Sequence, residues 1–233
     1  DITDTDRVSL LVRLADSDDG VVANAARQLM ATEARRLGAS GRARASELPA
    51  DLHRPITWLI AAYIRESAAA TDGDDIAVDR AIVESARRSL DAHDDTDRAE
   101  AHAMRLAQAI DARPDERASL LVESLCDRRL ILFVACLAHA LDLDYDSARA
   151  IVIDPDGDRL WCGLRALDLD RPTIARIGLS LAEADPRRDL ERFAEEIDQI
   201  AAISVEAAQA AVAPLTLHRD LRQAIDTLAR KGR

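Results

Sequence analysis

Leu130-Ile131-Leu132-Phe133-Val134-Ala135-Cys136-Leu137-Ala138-His139-Ala140-Leu141 is apolar on every side except at His139. Coiled as a helix, this stretch spans about 18 Å at ~1.5 Å per residue. A membrane crossing needs ~20 apolar residues, so it is too short to span a bilayer. A helix that is apolar all round belongs inside a larger helical body. The chain is therefore predicted to be all-α. Short amphipathic helices lie in stacked antiparallel pairs around residues 130–141, as a short solenoid or an irregular helical array.

Composition agrees with that reading. Of 233 residues, 48% are hydrophobic and only 3% aromatic, and 32% are charged. An Ala-rich, aromatic-poor chain favours close-packed helices over sheets. Its 8 Gly and 7 Pro are fewer than a many-stranded fold would use for turns. The net charge of −12 repels nucleic acid and anionic lipid, so neither is the expected partner. Lys231 is the only lysine; the remaining basic residues are arginine. Cys126, Cys136 and Cys162 form no CxxC pair and read as buried small hydrophobes in a reducing, cytoplasmic setting. No stretch reads as a secretory leader or a membrane span.

Working outward, the punctuation after residue 113 is regular. Arg113-Pro114-Asp115-Glu116 puts proline just inside a helix start and two carboxylates on its positive end. Asp154-Pro155 and Asp185-Pro186 read as an N-cap followed by proline. Ala-Leu-Asp-Leu-Asp occurs at 140–144 and again at 166–170, followed by Tyr-Asp-Ser and Arg-Pro-Thr. Self-similarity at a fixed offset marks stacked helix pairs. Leu190, Phe193, Ile197 and Ile200 form an apolar stripe, and 204–213 and 215–230 supply the last helices.

Upstream, 6–15 and 19–37 read as amphipathic helices, the second with Val22, Ala25, Ala26, Leu29 and Met30 on one face. Gly38 to Pro49 reads as an exposed loop. A helix is expected over 55–70, with Pro55 in its first turn and an apolar stripe of Ile56, Leu59, Ile60, Tyr63 and Ile64. Trp58 lies off that stripe. Ala70 to Asp75 is a turn, and 75–92 a helix with Ile76, Val83, Ala86 and Leu90 on one side. Asp97 and Glu100 have capping-box spacing before Ala99, Ala103, Leu106, Ala107 and Ile110. The division expected is an N-terminal helical region, 1–112, and a C-terminal HEAT-like region, 113–233, or one continuous domain.

Residues 114 to about 200 resemble a bacterial, all-helical, HEAT-repeat-like family of unknown function. The likeness lies in the order of LILFVACLAHAL, DSARAIVI, the turn Asp154-Pro155-Asp156-Gly157 and LWCGLRALDL. It implies an architecture and carries over no catalytic residue. The first half of the chain shares none of it.

Chemical motifs are sparse. Asp154, Asp156 and Asp158 begin like a calcium loop, but Gly157 is at the fourth position and Arg165 at the twelfth, where an EF-hand needs Gly at the sixth and Glu at the twelfth. A helix-capping turn is the better reading. No two of His53, His93, His102, His139 and His218 stand at i,i+3 or i,i+4, so no helix presents a zinc pair, and no metal or cofactor is expected. His139 is expected to hydrogen-bond a neighbouring helix, His93 to sit in a solvated turn, and Cys126 to be a helix-end core residue. No GxSxG and no phosphate-binding glycine loop occurs, so no catalytic residue is assigned and an enzyme is the less favoured class.

The expected function is a non-catalytic protein-interaction or regulatory module with a protein partner. The alternative is a nucleic-acid or phosphate-ligand binding protein, or an enzyme, using Arg27, Arg35, Arg36, Arg42, Arg44 and Arg54 as an anion-binding patch. Six aromatic residues in an acidic chain argue against a nucleic-acid groove. A third reading is a homo-oligomer with Trp58 or Trp161 in a protein contact.

Overall fold

The computed structural model describes residues 8–38, 48–69 and 75–217, together with 221, 227 and 228. Every regular element among them is helical. The helices are α1 (Leu10–Ala15), α2 (Gly20–Gly38), α3 (Ala50–Ala69), α4 (Asp75–Asp91), α5 (Ala99–Ile110), α6 (Pro114–Cys126), α7 (Leu130–Ala140), α8 (Tyr145–Ile153), α9 (Asp158–Ala166), α10 (Arg171–Ala184), α11 (Leu190–Ala202) and α12 (Val205–Val212). No described helix is long and apolar enough to cross a membrane.

The contacts divide the chain at 28/29 and 102/103, not at 112/113. One unit comprises 1–28 and 103–233, the other 29–102. The expected boundary falls inside the larger unit because residues 103–112, most of α5, belong with the helices after them.

In the larger unit α7 is the centre. Leu132 to Ala138 are seven consecutive buried residues, as an all-round apolar helix requires. It packs on α6 and α8, and α8 on α9. Helix α10 packs on α11, and further contacts skip along the chain: α10 reaches α6, and both α11 and α12 return to α9. Phe133, Leu121, Leu160, Leu164, Ile174 and Ile177 fill the interior.

The repeated Ala-Leu-Asp-Leu-Asp is a corner built twice. In each copy the first aspartate, Asp142 or Asp168, takes the left-handed conformation that ends a helix (φ 55° and 58°). The next leucine turns back, with Leu143 N–H donating to the Ala138 carbonyl at 2.9 Å and Leu169 N–H to the Leu164 carbonyl at 3.2 Å. All four leucines, Leu141, Leu143, Leu167 and Leu169, are buried. The last aspartate caps the following helix: Asp144 accepts from Ser147 N–H at 2.7 Å and Asp170 from Thr173 N–H at 2.9 Å.

At Pro114 the reading of the helix start holds, with Glu116 accepting from the Arg113 N–H at 3.1 Å. At Asp154-Pro155 and Asp185-Pro186 it does not. Asp154 and Asp185 end α8 and α10, and the next helices begin later, capped at Gly157 and Asp189. Gly157 sits at φ 74°, and a Cβ there would lie 2.8 Å from Trp161 Cε2. Only glycine turns the chain there while leaving room for the indole. Helix α1 is capped from a distance: Ser9 makes no side-chain cap, and the Leu10 N–H donates to Asp127, beyond the end of α6.

In the smaller unit α3 and α4 form a hairpin. Arg65 Nε pairs with Asp79 at 2.7 Å, and His53 Nε2 lies 3.5 Å from Ser89 Oγ, so residue numbers rise along one helix as they fall along the other. Helix α3 begins at Ala50, not at Pro55, which stands inside it. Proline has no N–H for the carbonyl four residues back. Two residues on, the Thr57 hydroxyl donates to the His53 carbonyl at 2.8 Å. The loop around 39–47 and the turn at 70–74 lie outside the described residues, as does most of the last helix expected over 215–230.

Candidate functional site

Three polar clusters and one apolar face are the candidates, and each is built within a single unit. In the larger unit a pocket of about 140 Å³ is lined by Asp111, Arg117, Cys136 and His139 among small apolar residues. His139 Nε2 lies 3.0 Å from Asp111 Oδ1, at the end of α5, so this histidine does bond a neighbouring segment. A thiol, an imidazole and a carboxylate outline a nucleophilic site. Here, however, burial pushes the Cys136 thiol up to about 12, which keeps it protonated and unreactive at neutral pH. No other nucleophile lines the pocket. The pair ties the end of α7 to the turn after α5.

A wider groove of about 1030 Å³ lies where α6, α8 and α10 end. Leu125, Leu130, Val152, Ile153 and Leu181 line it, with Cys126, Arg128, Arg187 and Arg188. Arg188 donates to the Val152 carbonyl in the last turn of α8, and Arg187 donates to Asp185 through Nε at 2.9 Å and Nη2 at 2.7 Å. The side chain and N–H of Arg187 hold the Asp185 carboxyl at about 2. Those arginines offset the negative ends of the helices they close. Cys126 is exposed, not the core residue expected: it closes the last turn of α6, on the side away from buried Leu121 and Ser124.

The Asp154–Asp158 turn holds no calcium constellation. Asp156 and Asp158 face Arg192 at 3.8 and 3.5 Å, and no cluster suited to a metal ion occurs among the described residues.

In the smaller unit the fold assembles histidines that are far apart in sequence. His53 is buried and stacks on His93, ring centres 4.2 Å apart, so His93 is half-covered rather than fully solvated. Asp97 accepts from Arg35 at 3.0 Å and lies 3.1 Å from His102 Nε2; both hydrogen bonds, Arg35's the stronger, pull its pKa down. Asp97 therefore serves this network instead of a capping box on α5.

The arginine patch is not assembled as a group by any bond described. Arg27 donates to the Ala15 carbonyl at 2.6 Å in the larger unit. Arg35 is committed to Asp97 and Thr32, and Arg54 stands exposed on α3 in the smaller one. Arg42, Arg44 and the side chain of Arg36 lie outside the described residues. Trp161 is a correction: it is 6% exposed, packed 4.6 Å from the Phe193 ring, and so offers no surface to a partner. Trp58 is 37% exposed.

The largest departure from expectation is on α3. The expected stripe is bare: Ile56 37%, Leu59 69%, Ile60 55%, Tyr63 71% and Ile64 49% exposed, and Leu52, one turn before it, is 48% exposed and makes a sixth. The face turned inward instead carries His53 and Ala61, with Thr57 half-buried. Helix α4 meets it with Ala86 and half-buried Val83 and Leu90, while Ile76 is 73% exposed. With roughly 150–250 Å² per large side chain, the six stripe residues leave about 600 Å² uncovered, at the top of the range for the largest apolar patch on a monomer.

Comparison with protein-family models, with curated proteins and with solved structures returns no match. The reading of the site therefore rests on its chemistry. The stripe carries no acid, base or metal ligand along its length, since Leu52, Ile56, Leu59, Ile60, Tyr63 and Ile64 offer one phenol between them. It can bind by burial. Sequence periodicity placed Ile56, Leu59, Ile60, Tyr63 and Ile64 on one face, and exposed Leu52 extends that face by a turn.

Proposed function

We propose that this chain is a non-catalytic protein-interaction module, an irregular, HEAT-like array of helix pairs that docks a protein through the exposed face of α3. The observation that carries the reading is the bare stripe Leu52-Ile56-Leu59-Ile60-Tyr63-Ile64. At about 25 cal/mol per Å², covering about 600 Å² is worth roughly 15 kcal/mol before the costs of association are subtracted. Consecutive packing of α6, α7, α8 and α9 supports the helix-pair description. The return of α10 to α6 favours an irregular array over a regular solenoid, in which each unit touches only its neighbours.

The test compares wild type with Leu59→Glu and Tyr63→Glu, all immobilised and exposed to proteins of the source cell and to the chain itself. Residues 59 and 63 are mostly exposed, so the variants keep their helical circular dichroism. The reading expects a protein retained by wild type and released by both variants. Retention that ignores both substitutions, or no retention of any protein including the chain itself, refutes it.

A further inference from the structure

The α3 stripe is long and uncharged, and its spacing is that of a helix seam. Leu52, Ile56, Leu59 and Tyr63 follow one another at intervals of four, three and four residues, and Ile60 and Ile64 flank them. That alternation keeps one line of side chains facing a partner helix over more than three turns. We propose, resting on the docking function above, that the partner is a second copy of this chain. Two α3–α4 hairpins then join across a two-fold axis near Leu59 to make a four-helix interface.

Area and electrostatics support the second copy. Two stripes of about 600 Å² each bury about 1,200 Å², inside the ~1,200–2,000 Å² of specific interfaces and above the ~800 Å² of incidental contacts. Ile76, level with the end of α3 in the antiparallel hairpin, is also 73% exposed. A two-fold interface requires one surface to fit itself, so a charged seam would set like against like. Nothing along this seam is charged until Glu66 at its end. The position of Glu66 also selects the orientation. Parallel α3 helices would set the two Glu66 carboxylates side by side and align the helix dipoles. Antiparallel helices carry the carboxylates to opposite ends and oppose the dipoles. In that arrangement Leu59 meets Leu59 of the second copy at the axis, and each Tyr63 lies over an Ile56.

Sedimentation velocity over a roughly hundredfold range of concentration tests this, because dimer formation follows mass action. Wild type sediments as a dimer that dissociates on dilution. Leu59→Glu, which places two carboxylates on the axis, raises the dissociation constant at least about 100-fold, as loss of a central anchor does. In a Cys126→Ser background, Leu59→Cys forms an inter-chain disulfide under mild oxidation, whereas Arg87→Cys on exposed α4 does not. A wild-type chain that stays monomeric throughout overturns the second copy. If stripe-dependent retention of another protein persists in that case, the docking function stands and only the partner was wrong. A dimer that survives Leu59→Glu, or that cross-links equally through Arg87→Cys, places the interface elsewhere and also overturns the proposal.

Discussion

Gly178→Ala sets two opposing effects against each other. Gly178 lies inside α10, where alanine is the better helix former by about 1 kcal/mol. Yet a Cβ on residue 178 would sit 2.3 Å from Phe193 Cζ and 2.4 Å from Cε1. The ring has to move, and its retreat is limited. Phe193 packs 4.6 Å from Trp161, and Trp161 already lies against the backbone of Gly157. Losing the ring pair costs about 0.5–1.5 kcal/mol, and forcing a methyl into a filled site about 1–3 kcal/mol. The steric side wins, so the expected net destabilisation is about 0.5–3.5 kcal/mol, a fall in Tm of roughly 1–14 °C for a chain of this size. Chemical unfolding followed by Trp161 fluorescence in a Trp58→Phe background reads the relevant unit. The same substitution in a Phe193→Ala background should change sign and stabilise by about 1 kcal/mol, because only helix propensity then remains. If Gly178→Ala stabilises the protein with Phe193 in place, the close packing of α10 on α11 described above is wrong.

The two aspartate corners should be interchangeable in energy: Asp144→Ala and Asp170→Ala are each expected to cost about 1 kcal/mol in chemical unfolding, with Asn in place of Asp recovering most of it. A thiol reagent applied to the native protein should modify exposed Cys126 promptly and leave Cys136, whose thiol burial raises to about 12, untouched until unfolding. Carboxyl NMR should find Asp185 titrating at about 2, and Arg187→Gln should return it toward 3.8. The folded value lies below the unfolded one, so the stability Asp185 contributes is present above pH 3.8 and lost as pH falls through about 2. Asp97 has the same sign, so Asp97→Asn should remove part of the acid sensitivity of the smaller unit below about pH 4.

Local rules read the larger unit well because its signals are local. Seven buried residues in a row on α7 demand an interior, and Pro114 marks a helix start wherever that helix goes. The histidine pair His53–His93 and the Arg35–Asp97–His102 network were not legible. Their members stand 40 residues or more apart, except for Asp97 and His102, and nothing in the spacing links them. The Asp-Pro turns misled because an aspartate before proline serves equally to end one helix and to begin the next.

Helix type, the order of the rods and the corners at 140–144 and 166–170 follow from residues close in the chain. Periodicity, capping and left-handed aspartates act over a single turn, and the amino-acid order determines them outright. What only the tertiary structure decided is which greasy face is covered. Helical spacing shows that Ile56, Leu59 and Tyr63 share a side; it carries no information on what stands opposite. Burial is a property of two surfaces brought together, and the α3 stripe stays exposed among the described residues.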